Sequence, residues 1–229
     1  MVNPKLLSQG AEAKILLNEK ENTIIKDRIP KSYRIKELDD KIRKQRTKAE
    51  KKLLEKACRI INAPNPFPLK EFNVIEMPYI EGKKLSEHLD SFSLEKQKEI
   101  MKAVGEETAK LHDADIIHGD LTTGNMILVD DFNDSQNYAD KKEVIITSSK
   151  KRDDNSKVFF IDFGLGFISK KIEDRAVDIH LLKQALEAKH FRNWETLFNS
   201  FLKGYGNSGE AEKVLERLKA VEKRGRYRN

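Results

Sequence analysis

Apolar positions change their spacing several times along this chain, and each change marks an element. LLSQGAEAKILL arranges apolar residues around a single glycine, and NTIIKDRI is a short β-branched run stopped by Pro30. Together they predict two or three short strands over residues 6–29. From Arg34 to Ala57 the spacing becomes helical. Ile35, Leu38, Ile42, Ala49, Leu53 and Ala57 fall on one face, while Lys, Arg and Glu fill the others. Pro64, Pro66 and Pro68 then interrupt the chain, and FNVIEMPYIEG reads as a strand running into a turn at Gly82.

A second helix is predicted over Leu94–His112, with Ile100, Val104 and Leu111 on its apolar side. IIHGDLTTGNMILV reads as a loop leading into a short strand from Met126. Residues 130–157 are rich in Asp, Asn, Lys and Ser, which predicts a disordered surface insertion, although VIIT within it has strand character. The strand VFFID follows and leads into FGLGFI. Helices are then expected over Ile179–Ala188, Trp194–Leu202 and Ala211–Lys223, with a flexible basic tail over residues 222–229. Strands and one long helix precede a mostly helical half. The expected class is therefore α+β, with a small lobe over residues 1–80 and a larger helical lobe over 81–229. Ligands prefer such a seam.

Composition narrows the class. At 229 residues, with 38% hydrophobic and 36% charged positions, the chain can build a core beneath a heavily charged surface. Its net charge of +6 gives weak support to a polyanionic partner such as nucleotide or RNA. The single cysteine, Cys58, excludes an internal disulfide framework and a cysteine metal cluster, and suits a reducing compartment. Neither a signal-type apolar segment nor a membrane-length run is present, so a soluble protein of the cytoplasm, and of the nucleus as a second location, is the expectation.

The polar clusters ending two apolar runs carry the chemistry. Phosphoryl transfer from ATP needs oxygen ligands for divalent metal and a carboxylate beside the acceptor hydroxyl. Asn125 and Asp162 are the candidate Mg2+ ligands. Asp120, five residues before Asn125 in the same loop, is the candidate base. H-G-D-L-x-x-x-N followed 42 residues later by D-F-G matches the catalytic and metal-binding loops of protein kinases in type and order. His118 reads as a packed residue that shapes the loop, and Phe163 as packing between lobes. In TIIK, Lys26 resembles the phosphate-binding lysine of a β-strand, and Glu50 in RTKAEKKLL is its candidate partner. The glycine-rich loop expected over the phosphates is reduced to SQGAEA, where Gly10 and Ala11 are the candidate contacts. Met77, Tyr79 and Ile80, at the junction of the lobes, complete the candidate nucleotide pocket.

GAEA, KDRIPKSYR, RTKAE, HGDLTTGN, DFGLGFIS, EDRAVDIHLL and the final RGR together resemble the atypical kinase subunit of the KEOPS (EKC) complex, the PRPK or bud-site-selection kinase family. The resemblance runs through nearly the whole chain apart from the 130–157 insertion. It implies a compact bilobal kinase-like fold, with ATP hydrolysis or protein-serine phosphorylation supporting threonylcarbamoyl-adenosine modification of tRNA. It also implies a modification subunit with a metal-dependent ATPase-like fold against the second lobe and tail, and a small regulatory subunit on the first lobe. Contact with tRNA would be indirect or through Arg224, Arg226 and Arg228.

Departures from ordinary protein kinases sharpen the expectation. Gly119 replaces the usual arginine, which removes the partner of a phosphorylated activation loop. Thr122 replaces a lysine, and only about ten residues separate DFG from EDRAVD, with no A-P-E after them. These features suit slow autophosphorylation or a partner-controlled ATPase. Asp178 is read at a helix start, buttressing the catalytic loop, and Arg175 as a surface charge or a contact. A small-molecule kinase of the aminoglycoside or choline type and a non-catalytic nucleotide-binding scaffold remain as alternatives.

Overall fold

The computed structural model describes residues 4–130 and 156–225. The N-terminal half forms a four-stranded antiparallel sheet in the order β1 (Lys5–Gln9), β2 (Ala13–Asn18), β3 (Thr23–Arg28) and β4 (Val74–Pro78). Ile15 pairs with Lys26, and Lys26 in turn with Ile75, so Lys26 sits mid-sheet. The helix α1 (Lys36–Ala57) crosses between β3 and β4, with Glu37 and Asp39 in its first turn and Lys56 in its last, as the helix dipole favours.

The rest of the chain is mainly helical. β5 (Lys83–Lys84) precedes a single turn, α2 (Leu85–His88). Next comes α3 (Leu94–Asp113), whose N-cap Ser93 accepts the Lys96 amide at 3.3 Å. β6 (Ile116–Ile117) leads through the loop to β7 (Met126–Val129), which pairs with both β5 and β8 (Lys157–Phe160). β9 (Phe167–Ile168) returns to pair with β6, a contact of two residues on each side. Three helices finish the fold: α4 (Ile172–Lys189), α5 (Trp194–Tyr205) and α6 (Ala211–Gly225). Among the described residues no helix is long and apolar enough to cross a membrane.

One apolar core runs from Leu53, Leu54 and Ala57 of α1, through Ile75 and Met77, to Met101, Val104, Phe201 and Tyr205. Its tightest contact is the crossing of α3 and α5. A Cβ on Gly105 would lie 2.1 Å from the Phe201 carbonyl oxygen, and one on Gly204 would lie 2.0 Å from that of Lys102. The two helices touch backbone to backbone there.

The structure corrects four expectations. In α1 the apolar stripe faces inward only at its C-terminal end. Ile35 and Leu38 are exposed, as is Ala49, while Asp39, Thr47 and Glu50 are buried. The helix uses its polar face because the neighbouring strand presents cations. α4 starts seven residues earlier than Ile179, so Asp178 lies within the helix and not at its dipole end. Arg175 is buried and paired with Asp115 and Glu210 at 2.9 and 2.7 Å, not a surface charge. α6 runs to Gly225, so residues 222–225 are helical and not part of a flexible tail, and Arg224 pairs with Glu173 at 2.7 Å. Residues 131–155 of the expected insertion, VIIT among them, and Arg226 and Arg228 lie outside the described residues, while Lys157 already opens β8.

Candidate active site

Side chains two apart on a strand share a face, so Lys26 and Arg28 of β3 point together toward α1. Glu50 meets both with one oxygen each. Lys26 Nζ donates to Oε1 at 2.7 Å and Arg28 Nη2 to Oε2 at 2.5 Å, with all three residues at most 7% exposed. Lys26 Nζ donates a second hydrogen bond across the seam to Asp162 Oδ1, at 2.6 Å. Burial alone would lower the Lys26 ammonium, but Glu50 and Asp162 outweigh it and hold it above the ordinary lysine value. Burial opposes ionisation of Asp162 as well, yet Lys26 and the Gly164 amide hold that carboxyl below its ordinary value.

Asp162 adopts φ +61, a left-handed conformation that a residue with a side chain keeps only when its surroundings impose it. They do so here. The Gly164 amide donates to Asp162 Oδ1 at 3.1 Å, and the Ile161 amide donates to the Asn125 carbonyl at 3.0 Å. That second bond ties the strand end to the loop between β6 and β7. Within the loop, Asn125 Nδ2 donates to Asp120 Oδ2 at 2.8 Å and to the Asp120 carbonyl at 3.0 Å. Asn125 Oδ1 and Asp162 Oδ2 take no hydrogen bond among the described residues, and the Asp162 side chain is 45% exposed. A carbonyl and a carboxylate oxygen left free in this way suit Mg2+, which usually takes one or two protein oxygens and completes its shell with phosphate and water.

Buried groups hold the loop from behind. His118 is 1% exposed and lies against Phe163 with ring centroids 4.6 Å apart. Its Nε2 donates to the Ile161 carbonyl at 3.2 Å, while Nδ1 accepts the Asp120 amide at 3.3 Å. Acceptance at Nδ1 needs the neutral ring, and burial lowers its pKa, which favours that form. Asp178 accepts the His118 amide at 2.8 Å through Oδ2 and the Gly119 amide at 3.0 Å through Oδ1. His112 adds a third bond to Asp178 at 3.2 Å, and its other nitrogen meets the Tyr205 hydroxyl at 2.9 Å. On the other flank His190 links Asp90, at 3.0 Å, to Thr123 of the loop, at 3.1 Å. Gly119 has φ +77, and a Cβ there would lie 2.2 Å from the Leu165 carbonyl oxygen. No larger residue fits, so the missing arginine is also a steric requirement of the β6–β9 corner.

The structure thus brings Lys26, Glu50, Asp162, Asn125 and Asp120 to one seam. Gly10 and Ala11 sit in the exposed turn between β1 and β2, in hydrogen-bond contact with none of these five. That turn is instead tied to α1 and its approach, by Lys31 Nζ to the Ala11 carbonyl and by Arg46 to Glu12 at 2.6 Å. Met77 is buried in the main core, and Ile80 packs with Phe159, Ile127 and Val129. Tyr79 is half-buried, and its amide bonds the Asn22 carbonyl at 3.0 Å. Sequence reasoning missed Arg28, His112, Tyr205 and His190. Only Arg28 left a signal, its position two residues beyond Lys26.

Comparison with known proteins gives the same picture. A family model for the RIO domain matches residues 18–135. The KEOPS complex subunit Bud32 of Pyrococcus abyssi is 39% identical over 98% of this chain and 96% of its own. A probable serine/threonine-protein kinase BUD32 homolog of Archaeoglobus fulgidus is also 39% identical, over 96% of this chain and 94% of its own. A probable bifunctional tRNA threonylcarbamoyladenosine biosynthesis protein of Methanosarcina mazei is 34% identical over 97% of this chain, but over only 36% of its own length. Among solved structures, the Rio2 kinase–ADP/Mg2+–phosphoaspartate complex from Chaetomium thermophilum aligns with TM-score 0.53 at 13% identity, covering 98% of this chain and 71% of that one. WaaP in complex with acyl carrier protein aligns with TM-score 0.55 at 14% identity, covering 97% and 89%. These last two show the fold alone. The class is therefore a RIO-type atypical kinase, α+β and bilobal. Within it, the chain belongs to the Bud32 family of KEOPS complex subunits.

Proposed function

We propose that the seam binds Mg–ATP and that the chain transfers its terminal phosphoryl group to a protein serine or threonine hydroxyl, or to water, in support of threonylcarbamoyl-adenosine formation on tRNA. When bound, Mg–ATP supplies the phosphoryl group and the metal charge that neutralises its oxygens. Lys26, held cationic by Glu50 and Asp162, is placed to meet the phosphates. Asn125 Oδ1 and Asp162 Oδ2 would hold the metal. Asp120 orients the acceptor hydroxyl and takes its proton, and the Asn125 amide fixes the Asp120 carboxylate for that task. Gly10 and Ala11 bring the β1–β2 turn toward the phosphates, with the Ala11 amide as the donor because the Gly10 amide is spent on the Ala13 carbonyl at 3.0 Å, while Met77, Tyr79 and Ile80 flank the base. The observation that carries the reading is the unbroken chain Glu50–Lys26–Asp162, bonded through Ile161 and Asn125 to Asp120.

As partners we propose a modification subunit against the second lobe and tail, where Leu165, Phe167 and Ile168 are exposed beside the loop. A small regulatory subunit would cover the first lobe, where Tyr33, Ile35 and Leu38 are exposed. tRNA would be met through these subunits or the basic tail, in the cytoplasm or nucleus. The test is ATP turnover by the purified chain, alone and with its modification subunit, for wild type and Asp162→Ala. Low basal turnover, stimulation by the partner and loss in the variant are expected. Equal turnover by both proteins would overturn the metal assignment. Intact tRNA modification by Asp120→Ala in a reconstituted assay would favour a non-catalytic scaffold instead.

A further inference from the structure

From Lys36 to Glu50, α1 fully buries no apolar side chain, Ile42 being only half-buried. Ile35 and Leu38 are exposed at its start, and the buried residues of this part are Asp39, Thr47 and Glu50. Most helices take their position from packing of an apolar face; α1 does so only at Leu53, Leu54 and Ala57, so polar contacts must hold the part before them. Two of them come from a single residue of β3. Arg28 Nη2 donates to Glu50 Oε2 at 2.5 Å, and the Arg28 carbonyl accepts from Arg43 Nη1 at 3.3 Å. Arg43 is itself held by Asp39 at 2.8 Å. Glu50 and Arg43 are two helical turns apart, about 10 Å along the axis. The end of β3 therefore grips the helix at two levels.

Lys26 cannot supply this grip alone. It already divides its ammonium between Glu50 and Asp162, and it is the group that would turn toward nucleotide phosphates. A guanidinium is planar, permanently charged and geometrically fixed, where an ammonium on a flexible stem is not. Arg28 is 4% exposed, and its Nε is buried without a partner among the described residues, so Glu50 is what fixes its guanidinium. Its Nη2 also lies 3.5 Å from the place a Cβ on Gly164 would take, beside the Asp162 turn. In protein kinases, seating of the lysine–glutamate pair is controlled by the activation loop and by movement of the helix that carries the glutamate. Here the loop cation is replaced by Gly119, and three residues separate β9 from α4.

We propose that Arg28 is a positioning residue that keeps Glu50, and with it α1, seated at the site whether or not nucleotide is bound, in place of activation-loop control. The effect on catalysis rests on the Mg–ATP reading above, whereas the mechanical effect on α1 does not. The experiment measures amide hydrogen exchange across residues 44–52 and Mg–ADP affinity for wild type, Arg28→Ala, Arg28→Lys and Asp162→Ala. For Arg28→Ala, faster exchange in α1 without nucleotide and a loss of Mg–ADP affinity of about 10- to 100-fold are expected, the usual span of coupling between groups. Arg28→Lys should restore part of both. Should Arg28→Ala lose its cooperative melt, Arg28→Gln carries the same exchange readout. Unchanged α1 exchange would overturn the proposal, and weaker affinity with unchanged exchange would do so too, by showing a direct phosphate contact. Failure of the Mg–ATP reading would be seen separately, as Asp162→Ala retaining full turnover.

Discussion

Asp178→Asn tests how the loop is held, because it removes a charge and one acceptor while keeping the shape. The wild-type carboxylate accepts three hydrogen bonds, from the His118 and Gly119 amides and from His112, at a site 1% exposed. The best asparagine orientation keeps its oxygen where Oδ2 accepts two donors and turns its NH2 toward the Gly119 amide. That leaves one buried N–H facing another donor, at a cost of about 1–3 kcal/mol, and reduces two charge-assisted bonds to neutral ones, about 1 kcal/mol in all. The sum is about 2–4 kcal/mol, or a fall in Tm of about 5–15 °C for a chain of this size. Urea midpoints and thermal melts report the loss. Hydrogen exchange of residues 117–120 shows whether it is centred on the loop, and ATP turnover should fall further than the unfolded fraction accounts for. A loss under about 0.5 kcal/mol, the ordinary effect of a surface substitution, with normal turnover, would refute the assignment of Asp178 as the loop's support.

Three further outcomes are expected. Burial holds the folded-state His118 pKa below its ordinary value of 6.5, so the unfolded chain binds the proton first as pH falls. Stability should drop below about pH 6.5 by up to roughly 1.4 kcal/mol per pH unit from this group, and His118→Asn should flatten urea midpoints taken between pH 7 and 5; an equal slope in the variant counts against it. Gly119→Ala should lose about 1–2 kcal/mol from its left-handed backbone alone, and more from displacing the Leu165 carbonyl, so an unchanged melt and turnover would show the corner to be slack. Gly105→Ala forces α3 and α5 apart, with an expected loss of about 1–3 kcal/mol by urea titration. Because His112 and Tyr205 ride on those helices, turnover should fall as well.

Asp120, Asn125, Asp162 and Lys26 were legible because each ends or interrupts an apolar run, where a polar residue stands out. Glu50 was legible only through Lys26, which demands a partner. Arg28 lies in a stretch so rich in Lys, Arg and Glu that a buried cation looks like its solvated neighbours. The same crowding disguised α1, whose apolar residues suggest a core face while its polar side is the buried one. Asp178 reads as a helix start because the apolar pattern places the helix from Ile179, where a carboxylate suits the dipole. The helix in fact begins at Ile172, and its first turn holds Glu173 and Asp174. The His112–Tyr205 bond joins residues 93 apart in sequence, and no local pattern encodes such a meeting.

The pairing of Val129 with Lys157 gives the hairpin of β7 and β8 a practical use. Cα atoms paired across antiparallel strands lie about 4.5–5.5 Å apart, so the sheet itself has already brought the two ends together. Whatever chain joins them then costs closure entropy that grows only with the logarithm of its length, about 0.6 kcal/mol per doubling. This hairpin mouth is accordingly a natural port for a genetically encoded reporter or an affinity handle. Fusion at that point would leave Asp120 and Asp162 where they are and allow the protein's assembly to be followed in living cells.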